Sequence, residues 1–198
     1  MQAINTDLLR GQHVYLALLT KDYEPQLRAL ARDERLWEFT KTLLINESYD
    51  AQFDAYIAKA YSHTGADGQA FVIHRTSDGA VIGMTRFYDG SEEHKRVNIG
   101  YTWYVPDVWG QVYNKECKLL MLQYAFETWG LQRVGFEVAH QNLRSQKAVE
   151  KIGGTREGTL RKFMLRPDGS IRHTVLFSII DDEWPEVKRK LTAFVSMG

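Results

Sequence analysis

The chain has 198 residues, with 25 basic and 25 acidic side chains, so it suits one domain (1–198) and carries no global field to attract nucleic acid or an anionic membrane. Its single cysteine, Cys117, excludes an internal disulfide and any paired-cysteine zinc or redox site. No apolar run approaches the ~18 residues of a membrane span, and no charged-then-apolar leader opens the chain; both point to a soluble, cytoplasmic protein.

After a short irregular start, residues 13–19 (HVYLALL) read as a first strand. Thr20 is placed to cap a helix over 21–32, with Leu27, Leu30 and Ala31 near one face. A second helix is expected over 49–62, and Trp37 and Phe39 between the two helices make that stretch too aromatic for a solvated linker. Residues 69–75 and 80–87 form strands joined by a turn at 76–79, where Gly79 supplies a positive φ. A further turn at 89–93 leads into a strand over 95–104.

A long amphipathic helix follows over 111–129, with Gly130 as its stop. Cys117 falls on its buried side and reads as a small core hydrophobe rather than a reactive thiol. Next come a strand over 131–138, a helix over 143–152 and a long hairpin, 155–165 and 170–180, turned by Arg166-Pro167-Asp168-Gly169. A last helix over 183–194 begins with Asp182 as a candidate cap and Pro185 in its first turn. The order β-α-α-β-β-β-α-β-α-β-β-α predicts an α/β fold. The histidines are scattered without ligand spacing, so no metal is expected.

The stretch from Ile99 to Gly153 carries the chemistry. A strand that runs through a turn into a helix N-terminus presents unpaired N–H groups and the positive dipole end to a phosphate chain. Together with Asn142 and Ser145 after the next strand, this pattern resembles the GCN5-related N-acetyltransferase (GNAT) superfamily, in its ribosomal-protein N-acetyltransferase-like (RimJ/RimL-type) branch. The resemblance covers about residues 9 to 190. It rests on Ile99-Gly100-Tyr101-Thr102-Trp103, Asn142-x-x-Ser145, Lys151-Ile152-Gly153, Glu157-Gly158-Thr159-Leu160-Arg161, Asp168-Gly169-Ser170-Ile171-Arg172 and Asp182-Glu183-Trp184-Pro185.

The resemblance implies a mixed, mostly antiparallel central sheet flanked by helices, with acetyl-CoA (or CoA) as cofactor. It gives the pantetheine arm to Trp103, Tyr104 and Val105, and the pyrophosphate to Trp109, Gly110, Gln111, Val112, Tyr113 and Asn114. This loop departs from the family's Gln/Arg-x-x-Gly-x-Gly/Ala, because Trp109 stands for the cation and Val112 and Asn114 for small residues. Val112 keeps its N–H, and Lys115 or Lys118 is the nearest replacement cation. Asn142 resembles a pantetheine contact and equally suits a helix N-cap; Ser145 is either the third residue of that helix or a contact to the thioester.

The activity implied is acetyl transfer to a primary amine (a protein N-terminal α-amine, an amino acid or a small amine) by direct attack. Ser145, Glu137 and Tyr104 are the catalytic candidates: a hydrogen bond to the leaving sulfur, a base, and a backbone donor to the oxyanion. The base is open, since relatives carry glutamate where this chain has Asn98; His140 is the other choice. Arg86 is either an acceptor-carboxylate ligand or a surface arginine, and Trp37 and Phe39 either wall the acceptor or pack. The acceptor is a small molecule or peptide, with neither nucleic acid nor membrane as partner; Phe163, Met164 and Phe177 permit a homodimer. Two rivals remain: an acyl-CoA-binding regulatory protein on the same fold, and an enzyme using a longer acyl group.

Overall fold

The computed structural model describes residues 4–197 except Leu43, Ile45 and Pro167, and leaves the side chains of Asn46 and Ala66 aside. Pro167 of the expected hairpin turn therefore lies outside the described residues. The elements in order are β1 (Val14–Leu18), α1 (Glu24–Leu30), α2 (Tyr49–Ser62), β2 (Gln69–Arg75), β3 (Val81–Ser91), β4 (Arg96–Tyr104) and α3 (Tyr113–Gln123). Then follow β5 (Arg133–Ala139), α4 (Leu143–Lys151), β6 (Thr155–Leu165), β7 (Ile171–Ile180) and α5 (Trp184–Val195). The predicted order holds throughout.

Seven strands form one sheet in the order β1-β2-β3-β4-β5-β7-β6. Every pairing is antiparallel except β4 with β5. The parallel pair is the one that needs a crossover, and α3 supplies it. Side chains alternate across the sheet, so Phe71 and Ile73 of β2 enter one core while Ala70 and Val72 enter the other. The first core packs under α3 and α5; the second lies against α1, α2 and Trp37.

Several boundaries move for local reasons. The first helix begins as a tighter turn, Lys21–Tyr23, and Thr20 precedes it without a capping hydrogen bond. The long helix starts two residues late and widens into a turn at Tyr124–Thr128 before Gly130, which takes φ +63°. β3 runs on through Asp89 and Gly90, because Ser91 still pairs with Arg96. Glu183, not Asp182, flanks α5, and its carboxylate accepts the Ile180 N–H at 3.1 Å. Phe177 is core, whereas Phe163 faces outward, as do Leu160, Leu165 and Ile171 of the same hairpin.

One buried carboxylate fixes the sheet edge to the crossover helix. Glu116 of α3, 3% exposed, accepts the N–H groups of Gln12, His13 and Val14 at 2.8, 2.6 and 2.7 Å. Three donors satisfy a charge that would otherwise be costly to bury. The fit is close: a Cβ on Gly11 would sit 2.5 Å from the carboxyl carbon. Replacing Glu116 by Ala strands three N–H groups, so urea denaturation should report a loss of about 3 kcal/mol or more; a loss below ~1 kcal/mol would show the anchor to be dispensable.

Candidate active site

β4 and β5 stay together for only three pairs, Arg96 with Arg133, Val97 with Val134 and Asn98 with Gly135. Beyond them the strands part. The opening is a cleft of about 310 Å³, lined by residues 99–104 of β4 and 136–139 of β5. Lys118 of α3, Asn142, Arg144 and Ser145 at the start of α4, and a segment including Trp37, Phe39, Thr40 and Lys41 complete its walls. That volume lies at the lower end of the range for small-molecule sites, roughly 300–1,000 Å³.

The parting leaves strand backbone without a partner. Val105 donates its N–H to Ile82 of β3 at 2.9 Å, so its N–H is not free for a ligand as the resemblance implied. Backbone groups alternate sides along a strand, so the Tyr104 N–H and C=O face the opening instead. The carbonyl accepts the Trp109 indole N–H at 2.7 Å, and the N–H is left for the cleft. The side chains of this stretch point elsewhere. The Trp103 indole donates to Tyr56 Oη at 3.0 Å inside the second core. The Tyr104 phenol is buried against the Cys117 thiol, away from the cleft, and burial raises its pKa well above the usual value. Only the backbone of Tyr104 can serve chemistry in the cleft.

The start of α3 adds a second row of donors. From Gln111 to Asn114 no N–H finds a backbone carbonyl; hydrogen bonding begins with Lys115 and Glu116, which donate to Val112 at 3.0 and 3.1 Å. Gly110 enters this turn at φ +78°. Gly110, Gln111 and Asn114 line the cleft, whereas the Val112 and Tyr113 side chains pack on the first core. Neither lysine named as a replacement cation extends freely into the cleft beside Trp109. Lys115 sits 3.1 Å from the Phe194 ring centroid, and Lys118 is buried in the cleft wall. Arg144 of α4 stacks on Trp109 instead, at 3.9 Å from the ring centroid.

Asn142 is the N-cap: its Oδ1 accepts the Ser145 N–H at 2.9 Å while the residue also borders the cleft. Ser145 lines the cleft beside it. Glu137 reaches the cleft too, but its Oε2 accepts from Lys41 Nζ at 2.5 Å across 96 residues of sequence. His140 turns away and meets His173 at 4.7 Å. Asn98 does not border the cleft; its side chain lies over Gly135 and donates to Asp89 at 3.2 Å. Arg86 is neither cleft ligand nor surface residue. It is fully buried, with its guanidinium between the Tyr56 and Tyr101 rings at 4.4 and 4.5 Å. Trp37 is buried core at the cleft wall, and Cys117 is buried with its thiol pKa raised by desolvation.

Four cleft residues escaped sequence reasoning in these roles: Arg144, Lys41, Arg172 and Lys118. Arg144 sits inside the Asn142-x-x-Ser145 motif, so its position was a readable signal. Lys41 and Arg172 meet Glu137 only through the fold, Arg172 donating to the Glu137 carbonyl at 3.4 Å. Among the described residues, these four bases and one acid, Glu137, line the cleft, which makes it electropositive. No group of three His, Cys, Asp or Glu side chains among them could hold a metal ion. Nor is any helix among them long and apolar enough to cross a membrane.

A mostly antiparallel sheet opened at its parallel pair, with a bare helix N-terminus beside the opening, is the architecture of the GNAT fold. A family model described as an acetyltransferase (GNAT) domain matches residues 13–155, and the chain belongs to that family. It is 31% identical over 108 residues to the uncharacterized N-acetyltransferase YoaA of Bacillus subtilis, covering 54% of this chain. That match spans 60% of YoaA, so the chain aligns with only part of that relative's length. A GCN5-related N-acetyltransferase from Brucella melitensis superposes with TM-score 0.84 at 25% identity, over 94% of this chain and 84% of that one. The fold also matches Mycobacterium smegmatis RimJ in complex with CoA-disulfide, with TM-score 0.77 at 18% identity over 91% and 88% of the chains.

The Tyr104 hydroxyl is buried against the Cys117 thiol, a weak hydrogen-bonding group, so removing it costs little. Thermal unfolding of Tyr104→Phe should fall within about 0.5 kcal/mol of wild type or above it. A loss of ~2 kcal/mol would mean that the phenol is strongly bonded after all.

Proposed function

We propose that the protein is a single-domain N-acetyltransferase that moves an acetyl group from acetyl-CoA to a primary amine by direct attack. The observation that carries this reading is the opened β4–β5 pair, which leaves the Tyr104 N–H facing a cleft that continues to the bare N-terminus of α3. The residues fit the group. Gln111 to Asn114 offer N–H donors to a pyrophosphate, Arg144 adds a cation, and Asn142 and Tyr104 flank the path of a pantetheine arm. Bound acetyl-CoA supplies an activated acyl carbon and a good leaving group, since a free thiol has a pKa near 8.5.

The chain's own part is to bind, orient and exclude water. The Tyr104 N–H suits the developing oxyanion, and Ser145 suits a hydrogen bond to the departing sulfur. Glu137 is engaged by Lys41, and Asn98 is an amide outside the cleft, so neither offers a free carboxylate for removing a proton from the incoming amine. That favours an acceptor already neutral near working pH. At about pH 7.5 roughly a third of an α-amine is uncharged, against about one in a thousand lysine side chains. The acceptor is therefore an α-amine of a peptide or a small amine of similar basicity. RimJ, whose fold this chain shares, was crystallised with CoA-disulfide, which agrees with CoA as the cofactor.

The absence of a free carboxylate in the cleft also supports a second reading, an acyl-CoA-binding regulator that has lost turnover. Thiol release separates the two: the enzyme consumes acetyl-CoA with a suitable α-amine, whereas the regulator binds it and releases none. Titration calorimetry should give micromolar binding of acetyl-CoA, and Arg144→Ala should weaken it about tenfold, or ~1.4 kcal/mol, with the difference shrinking at high salt. Absence of any binding would remove both readings.

A further inference from the structure

Acetyl transfer to an amine must dispose of a proton, and the carboxylates considered for that task are tied up or absent from the cleft. The irregularity in β4 points to another route. Met84 pairs with Trp103 and Arg86 with Gly100, so Thr85 alone faces both Tyr101 and Thr102. The extra residue is a β-bulge, and Tyr101 pays for it with φ +50°, a region that a bulky side chain rarely adopts. Bulges of this kind re-aim side chains beside active sites. Here the result is a compact triangle: Thr102 Oγ1 lies 2.8 Å from Thr85 Oγ1, and Lys118 Nζ donates to them at 2.8 and 3.3 Å respectively.

Lys118 is 6% exposed, yet it borders the cleft together with Thr102. Its hydrogen-bonding partners among the described residues are the two hydroxyls; no carboxylate is paired with it. An ammonium so buried is poorly compensated, whereas a neutral amine has a lone pair into which the Thr102 hydroxyl can donate. We propose that Lys118 accepts the proton shed by the attacking amine, relayed through the Thr102 hydroxyl.

The relay rests on the acetyl-transfer reading above and completes its proton balance. The amine nitrogen forms a bond to the acyl carbon as the carbon–sulfur bond breaks, and the sulfur leaves with the electron pair. The excess proton on nitrogen passes to Thr102 Oγ1, whose own proton moves to Lys118 Nζ. Lys118 then returns its proton to solvent or to the thiolate as the products leave. An amine that attacks neutral still sheds this proton, so the α-amine preference stands beside the relay.

The surroundings weaken the hold of Lys118 on its proton. Burial lowers the Lys118 pKa, with the adjacent Cys117 opposing the shift. On α3 the neighbouring Glu116 is already occupied by three backbone N–H groups. The Tyr104 phenol on β4 is held neutral by burial. The other charged groups of the cleft lining are Lys41 paired with Glu137, Arg172 and Arg144, and Glu137, the one carboxylate among them, is engaged by Lys41.

The test compares wild type with Lys118→Arg, Lys118→Met and Thr102→Val. Each is checked first for unaltered acetyl-CoA binding by calorimetry, and then for kcat against pH with an α-amine acceptor. The relay predicts a fall in kcat of about 10²-fold or more in all three. It also predicts that the wild-type profile carries an acid-side ionisation beyond that of the acceptor amine, and that both lysine variants lose it. Arginine keeps a cation and hydrogen bonds but cannot accept a proton, which separates this role from packing. A readout independent of turnover is the ¹³Cε resonance of Lys118, assigned by its absence from Lys118→Arg; it should report a neutral amine at pH 8. An ammonium persisting there, or variants that keep wild-type kcat and pH profile, would overturn the relay alone. If wild type binds acetyl-CoA but acetylates no amine, the acetyl-transfer reading fails and the relay falls with it.

Discussion

The parallel pairing of β4 and β5 lasts three residues, and the rest of the molecule is organised around its early end. An unbroken ladder would satisfy every backbone group between the strands and leave no cleft. The ladder stops because several features coincide. The β4 bulge rotates the strand at Tyr101, and Asn98 lies over Gly135, where a side chain would collide with it. Downstream, Val105 commits its N–H to β3 and so draws the end of β4 away from β5. Backbone left unpaired in a protein interior is costly unless something else bonds to it. A ligand with polar atoms along its length, such as a pantetheine arm, meets that need.

The crossover helix converts the gap into a site. Its first turn offers unpaired donors, Glu116 anchors the same helix to the edge of the sheet, and Lys118 one residue beyond Cys117 faces the opening. Structural and chemical duties therefore alternate along a single turn and a half. Trp109 illustrates how the departure from the family loop is absorbed. Its indole closes on the Tyr104 carbonyl while its face carries the Arg144 guanidinium of α4.

Much of this was legible in the sequence because it is local. Alternation marked the strands, Gly130 and the Asn142 cap marked helix ends, and strand-turn-helix succession marked the bare first turn of α3. What escaped notice is held by contacts remote in sequence. Lys41 meets Glu137 across 96 residues, and Glu116 meets Val14 across 102; neither leaves a periodic trace. The bulge was hidden for another reason, since a tyrosine in left-handed conformation has no compositional signature. Asp89-Gly90 misled in the opposite sense: turn residues are tolerated inside β3 because pairing resumes at Ser91. Arg86 was misread because a charge in a strand suggests solvent, whereas two tyrosine rings enclose this one.

The central claim is that the unpaired backbone at the β4–β5 opening and the first turn of α3 together receive the acyl donor. Amide hydrogen exchange with and without acetyl-CoA tests this directly, residue by residue. The account predicts slowed exchange at Tyr104 and from Gln111 to Asn114, with the Val97 and Asn98 amides, before the opening, unchanged. Protection confined to other surfaces, with those five amides exchanging as before, would contradict it.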